Sequence, residues 1–240
     1  MTEKRSGVRS VLSDPRIYNV AQQVLGTTRS RRELVGRYLR PTPGMRMLDI
    51  GCGTASLLEH LDGVSYVGFD PTPAYIEAAR AKHGDRGTFF VGSIGGTSAR
   101  DLGRFDVVLA KGVLHHLDDA LAKELFELAA EVLEPNGRLV TFDGCYAPNQ
   151  SRVARFIISR DRGQNVRTPA GYEALAQTAF TRVNVHIRHD LLRVPYTHAI
   201  LVCDNIAAQS ERGSQGGDDH RDESHNLGGE EPDRDGGDGI

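Results

Sequence analysis

From Met45 to Gly144 the chain repeats one rhythm, an apolar run of strand length followed by a stretch with helical spacing. "MRMLDIG", "SYVGFD", "TFFVG", "FDVVLAKG" and "RLVTFDG" read as strands. "TASLLEHLD", "PAYIEAARAKHG" and "DDALAKELFELAAEVLEPNG" read as helices between them. A helix between two strands carries the chain back across the sheet, so consecutive strands run parallel and need cover on both faces. The pattern predicts an α/β fold, a Rossmann-like doubly wound sheet. In the long third helix, Asp118 and Asp119 mark the N-terminus, Leu121, Leu125, Leu128 and Val132 form the apolar stripe, and Pro-Asn-Gly ends it.

After residue 145 the rhythm breaks. "PAGYEALAQTAF" is a helix, and "RVNVHIRHDLLRVPYTHAILVCDNI" reads as two strands meeting near Arg193–Tyr196. With no helix between them they pair antiparallel, giving a mostly parallel sheet with one antiparallel strand near the C-terminus. His186, Arg188, Asp190 and Leu192 share one strand face, with Tyr196 and His198 on the neighbour. A polar row of this kind reads as the solvated side of an edge strand. Residues 1–40 carry helical pattern in "YNVAQQVLG" and "RSRRELVGRYLR" and read as an N-terminal helical cap, stopped by Pro41 and Pro43. Residues 209–240 hold eight glycines, ten Asp or Glu and three Arg, a net charge of −7 within a chain of −3. That segment has too little apolar surface to offset its ordering entropy and is expected to be a disordered acidic, Gly-rich tail. The main domain is then 41–208.

The overall balance argues against a dedicated nucleic-acid binder. Cys52, Cys145 and Cys203 are too few and too scattered for a disulfide framework or a zinc site, so no metal is expected. The charged start "MTEKRSGVRS" lacks an apolar core and no 18-residue apolar run exists. The expectation is a cytoplasmic protein with no membrane span.

The residues that break the pattern sit in "MLDIGCGTA", residues 47–55: an aspartate inside an apolar run, then Gly51 and Gly53. Aspartate and glycine both weaken a strand, so this strand ends in a tight turn made for something else. In an open parallel sheet, ligands sit beyond the strand C-termini, where the following helix offers free N–H groups. Asp70 ends the second strand 19 residues after Gly51, placed for a ribose diol. The ligand therefore contains adenosine. A nicotinamide dinucleotide wants a third glycine where this chain has Ser56. Asp49, near the end of the first strand, repels a pyrophosphate and suits the ammonium of an adenosyl sulfonium. Its alternative role is to fix the loop by accepting backbone N–H bonds.

"MLDIGCGTASLLEHL", "YVGFDPTPAYIEAAR", "FDVVLAKGVLHHLDD" and "LEPNGRLVTFD" resemble, in this order, the class I S-adenosylmethionine-dependent methyltransferases of small-molecule type. The resemblance covers about residues 40–145. It implies a seven-stranded sheet whose last strand is antiparallel, with S-adenosyl-L-methionine as cofactor. The turn Gly51, Cys52, Gly53 would hold the methionine part together with Asp49. Asp70 and Pro71 would face the ribose, and Ser93 and Ile94, after strand three, the adenine. Ala55 replaces a frequent glycine, and Ser93 an aspartate that usually receives the adenine amino group.

Candidate chemical groups cluster after strands four and five. His115 or His116 is a candidate general base. Lys111 ends strand four beside the cofactor turn, or else is solvated. Cys145 and Tyr146 follow strand five on the expected substrate side, and Tyr18 in the cap is a candidate to close over the cleft. Arg152, Arg155, Arg160, Arg162 and Arg167 fall within sixteen residues opposed only by Asp161. If several converge, led by Arg155, the substrate is an anion; otherwise they form a solvated face with a structural Arg–Asp pair. "AKGVLHHL" is not the Asn/Asp-Pro-Pro-aromatic run that holds a flipped base, nor does a Pro-Cys follow strand four. The sequence thus points to methyl transfer to a small metabolite, oxygen before nitrogen. An NAD(P)-dependent oxidoreductase and a non-catalytic cofactor-binding regulator are the alternatives.

Overall fold

The computed structural model describes residues 27–94, 101, 103–160 and 163–204. Tyr18, the first cap helix, Asp161, Arg162 and the acidic tail lie outside the described residues.

Seven strands form one sheet: β1 (Arg46–Ile50), β2 (Ser65–Asp70), β3 (Gly87–Val91), β4 (Phe105–Lys111), β5 (Leu133–Gly144), β6 (Arg182–Arg188) and β7 (His198–Asp204). Their spatial order is β3-β2-β1-β4-β5-β7-β6. The strands β1 to β5 pair parallel, and β7 runs antiparallel between β5 and β6. The antiparallel strand is thus last in the chain but second from the sheet edge. The order reverses at β1, so the crevice between the β1 and β4 ends is the topological switch point where open α/β sheets bind ligands.

Helices cover both faces: α1 (Thr27–Glu33), α2 (Pro73–His83), α3 (Asp119–Val132), α4 (Arg152–Ser159) and α5 (Pro169–Ala176). On one face, Leu125, Phe126 and Ala129 of α3 and Tyr172 and Leu175 of α5 pack on Leu48, Val108, Leu139 and Leu201. On the other, Ile76 and Ala79 of α2 join Leu34, Tyr38 and Leu39, on a wide π turn continuing α1, against Met47, Leu109, Val140 and Ile200. Side chains alternate along each strand, so a one-residue step moves a group from one helical layer to the other. Side-chain oxygens cap three of the helices: Asp118 on Leu121 N–H, Ser151 on Ala154 N–H and Thr168 on Gly171 N–H.

Four expectations change. The segment after the glycine turn is a five-residue 3₁₀ helix, Ser56–His60, rather than an α-helix. Leu57, Leu58 and Leu61 still bury, because that spacing serves either helix type. Leu125, Leu128 and Val132 of the expected α3 stripe bury, joined by Ala122, Phe126 and Ala129, but Leu121 is exposed. Pro-Asn-Gly lies beyond the helix, which ends at Val132, and within the first part of β5. Finally, the polar row on β6 is no solvated edge. The Arg188 guanidinium donates to Glu33 at 3.1 Å, to Tyr38 Oη at 3.3 Å and to both oxygens of Asp190, so it fastens α1 and its π turn to the sheet. His198 is buried and makes tilted ring contacts with Phe142 and Tyr196. No helix among the described residues is long and apolar enough to cross a membrane.

Candidate active site

The strand ends place three groups of residues together. The first is the glycine turn. The β1 chain turns at Gly51 (φ +71°) and Gly53 (φ +56°), and the Gly51 and Cys52 N–H groups both donate to Phe69 O, at 2.8 and 3.0 Å. A Cβ on Gly51 would lie 2.6 Å from Val113 Cγ2, so the loop after β4 rests directly on the turn. A Cβ on Gly53 would meet nothing within 4 Å, which leaves space over the turn for a ligand. Ala55 stands at φ +51°, a left-handed conformation that costs a residue with a Cβ about 1–2 kcal/mol.

Asp70 closes the turn from β2. One oxygen accepts the Gly53 N–H at 3.1 Å and the other the Thr72 N–H at 2.8 Å. Each carboxylate oxygen keeps a second acceptor site, so these bonds orient Asp70 without exhausting it. Pro71 and Ser93 are exposed nearby, and Ile94 packs half-buried on the core.

The second group is charged, with Asp49 and Arg31 buried and Lys111 half-buried. A recess beside the turn is lined by Arg31, Asp49, Gly51, Cys52, Gly53, Thr54, Ser56, Leu57 and Lys111. Asp49 Oδ2 accepts the Tyr66 hydroxyl at 2.6 Å. Neither sequence-based alternative for Asp49 included this phenol: tyrosine is an ordinary strand residue, and only the β1–β2 register brings it beside Asp49. Burial pushes the Asp49 carboxyl up to about 7, against the opposing pull of Tyr66 and Lys111. Burial also holds the Lys111 ammonium below its usual range, with Arg31 adding to the depression. Lys111 is therefore no solvated lysine. Arg31, which the sequence presented only as part of a helix, is 7% exposed and reaches the recess from α1.

An acid whose folded pKa is raised stabilises the fold below its unfolded pKa and loses that contribution as pH rises through the folded value. Without ligand, the wild type should lose about 2–4 kcal/mol of stability between pH 4 and pH 8 through Asp49. Asp49→Asn, which keeps the Tyr66 bond, should lack this slope, melting above the wild type at pH 8 with the gap closing at pH 5. Parallel melting curves at both values would refute a buried, strained carboxylate.

The third group lies on the opposite face of the same strand ends. Lys111 pairs with Phe142 in the β4–β5 ladder, so Asp143, one residue on, points into the α3/α5 layer. There Asp143 Oδ1 meets His115 Nδ1 at 2.7 Å and accepts the His115 N–H at 3.2 Å. A carboxylate only accepts, so Nδ1 donates, and in the neutral ring Nε2 carries the lone pair. Asp143 is 2% exposed, and its Oδ2 has no protein partner. The sequence named His115 but missed Asp143, which it read only as part of "RLVTFDG"; an aspartate in an apolar strand was the available signal. His116 is exposed, its ring 4.1 Å from that of His115.

Cys145 is wholly buried, its thiol pushed up to about 12 by burial and by Asp143, so it presents no nucleophile and no substrate surface. Tyr146, by contrast, lines an open groove with Arg152, Arg155, Phe156 and Ser159, and the Arg155 guanidinium lies 5.2 Å from its ring. Arg160 sits over Phe156, while Arg167 turns inward.

Residues 48–139 match the family model described as "Methyltransferase domain". A ubiquinone biosynthesis O-methyltransferase of Azorhizobium caulinodans is 43% identical over 110 residues, 43% of this chain and 42% of that protein. The O-methyltransferase resE of Aspergillus sclerotiorum is 33% identical over 142 residues, 55% of this chain and 53% of that protein. The chain thus spans about half the length of the curated relatives it matches. Among solved structures, the pyocyanin biosynthetic protein PhzM superposes with a TM-score of 0.63 at 16% identity, covering 84% of this chain and 59% of its own. The geranyl diphosphate C-methyltransferase of Streptomyces coelicolor, solved with S-adenosyl-L-homocysteine, gives a TM-score of 0.57 at 14% identity, covering 75% of this chain and 76% of its own. Sheet order and these solved structures give the chain the class I methyltransferase fold, and residues 48–139 are similar to the methyltransferase domain family. The matched segment holds Asp49, the glycine turn, Asp70, Lys111 and His115; Asp143 and the arginine groove lie beyond it.

Proposed function

We propose that the protein transfers a methyl group from S-adenosyl-L-methionine to a hydroxyl oxygen of a small molecule. The observation that carries the reading is the pairing of His115 with the buried Asp143 beside a glycine turn closed by Asp70. The relatives named as O-methyltransferases support oxygen as the acceptor.

The residues fit this cofactor. Open space lies over Gly53, and the recess carries both signs of charge, Asp49 for an ammonium and Arg31 with Lys111 for a carboxylate. A zwitterionic amino-acid end needs that mixture, whereas a buried aspartate opposes a pyrophosphate. Asp70 faces the ribose hydroxyls. When bound, the cofactor supplies an electrophilic methyl group on a sulfonium leaving group.

The protein's own work is alignment and proton removal. Holding donor and acceptor in line replaces a bimolecular encounter, worth up to about 7–11 kcal/mol. His115 Nε2 takes the acceptor's hydroxyl proton. Asp143 holds the ring in the Nδ1–H tautomer and balances the imidazolium that forms, as a buried carboxylate does in other His-based sites. Because Asp49 has to be ionised to meet an ammonium, cofactor affinity should rise with pH through about 7.

We infer further that the acceptor molecule carries a negative charge. Residues 144–160 contain three arginines and no acid, and the groove of Tyr146, Arg152, Arg155 and Phe156 joins cations to aromatic faces. In the protein saturated with S-adenosylhomocysteine, benzoate should bind in preference to benzamide, and Arg155→Ala should erase about three- to tenfold of that preference, the modest size reflecting solvent screening. Equal binding of acid and amide would remove the anionic assignment. Mass spectrometry of small-molecule extracts incubated with labelled methyl donor tests the activity itself: labelled methyl ether or ester products support it, and label confined to amines or carbon would move the acceptor atom.

A further inference from the structure

His115 is held on several sides by a segment that the catalytic reading leaves unexplained. Residues 163–167 cross directly over it. A Cβ on Gly163 would lie 2.0 Å from His115 Cδ2 and 2.7 Å from its carbonyl oxygen, so the backbone of this strap is packed on the imidazole. The Asn165 N–H donates to His115 O at 3.0 Å. Asp143 fixes Nδ1 from the other direction, and the His116 ring lies alongside, tilted by 42°.

The strap is itself pinned by one side chain. Arg167 Nη1 donates to Leu114 O at 2.9 Å and to Asn165 O at 3.0 Å. Its Nη2 donates to Leu117 O at 2.8 Å and to Asp119 Oδ1 at 2.7 Å, and Nε donates to Asp119 Oδ1 at 3.0 Å. A guanidinium has five N–H donors, and these five bonds match that number. Leu114 and Leu117 bracket the two histidines, Asn165 belongs to the strap, and Asp119 begins α3. One planar group therefore ties the histidine turn to the segment above it and to the helix behind it. The side chain of Arg167 is 12% exposed, which shields its three bonds to backbone carbonyls better than the two to Asp119, whose side chain is 74% exposed. The guanidinium also lies 5.8 Å from the ring centroid of the buried Tyr172, so the same side chain packs against α5.

We propose that Arg167 is a positioning residue for the reaction: it clamps residues 163–167 onto His115 and so fixes the orientation of the imidazole whose tautomer Asp143 sets. The inference rests on the reading of His115 as the base, but its structural content stands apart from that reading. Lysine cannot replace the clamp, because three donors on one nitrogen do not span four acceptors on three segments.

Two substrate-free readouts test it in the full chain, the ¹⁵N signals of the His115 imidazole and the rate at which diethyl pyrocarbonate modifies that residue, located by mass spectrometry. In wild type, His115 should show a fixed Nδ1–H tautomer and slow modification. Arg167→Met should broaden the His115 ring signals and speed modification by about tenfold or more, the effect of making local opening easier by ~1.4 kcal/mol. Arg167→Lys should not restore the wild-type signature. Gly163→Ala, whose methyl group displaces the strap while leaving Arg167 intact, should produce the same change and serves if Arg167→Met does not fold. Phe89→Leu, in the core beneath the far edge of the sheet, controls for general destabilisation and should leave both signals unchanged. Wild-type signals in Arg167→Met or Gly163→Ala, or the same change in Phe89→Leu, would overturn the clamp. Binding of S-adenosylhomocysteine and methyl transfer are scored separately: a protein that shows the His115 changes but binds no cofactor keeps the clamp and loses the methyltransferase reading.

Discussion

Replacing His115 by Gln should lower methyl transfer by about 10²–10⁴-fold, the usual worth of a positioned general base, and leave S-adenosylhomocysteine affinity close to wild type. The division between the two effects follows from place. His115 lies in the α3/α5 layer beside Asp143, whereas the recess of Asp49 and Lys111 belongs to the opposite layer. The loop after β4 connects them, touching the turn through Val113 and the carboxylate through His115. Asp143→Asn should give a loss of the same order by a different route. An amide can present either oxygen or nitrogen to Nδ1, so it no longer enforces the tautomer and supplies no charge to the imidazolium. The measurement is label passed from tritiated S-adenosylmethionine to the accepting fraction of an extract, with S-adenosylhomocysteine binding run on the same preparations. Full activity in both variants would show that transfer needs alignment alone.

The second large effect concerns Asp70. Asp70→Ala should weaken cofactor binding by about 1–3 kcal/mol, or roughly 5- to 150-fold, through two losses. The ribose loses its acceptor, and the Gly53 and Thr72 N–H groups lose the oxygens that now orient the turn. Asp70→Asn should cost less, because its side-chain oxygen still accepts one of these bonds. Calorimetric titration separates the two variants; equal affinities for wild type and Asp70→Ala would contradict the ribose assignment.

How far the sequence carries depends on the range of the interaction. The five parallel strands and the helices α2, α3 and α5 were legible because burial and capping write their pattern into neighbouring residues. The antiparallel pair followed from the absence of a helix between two β-rich runs. The glycine turn was legible for the opposite reason: Asp49, Gly51 and Gly53 are poor choices for a strand and need another explanation. What stayed hidden arises between strands distant in the chain. Asp143 meets His115 across 28 positions only because β5 lies beside β4 in the register that pairs Lys111 with Phe142. Tyr66 meets Asp49 across the β1–β2 ladder in the same way. The helix after the turn was misread because leucines spaced to bury in an α-helix also bury in a 3₁₀ turn. Arg167 stood among five arginines that looked alike in sequence; the fold separates it, facing inward on Asp119, from Arg155, which faces an open groove.

The account stands on the glycine turn as a seat for an adenosyl sulfonium. Calorimetric titration of the intact chain with S-adenosylhomocysteine, and separately with NADH, puts this to the test most directly. The account predicts saturable one-to-one binding of S-adenosylhomocysteine that strengthens as pH rises through about 7, with no heat from NADH. Saturable binding of NADH with none of S-adenosylhomocysteine would contradict it.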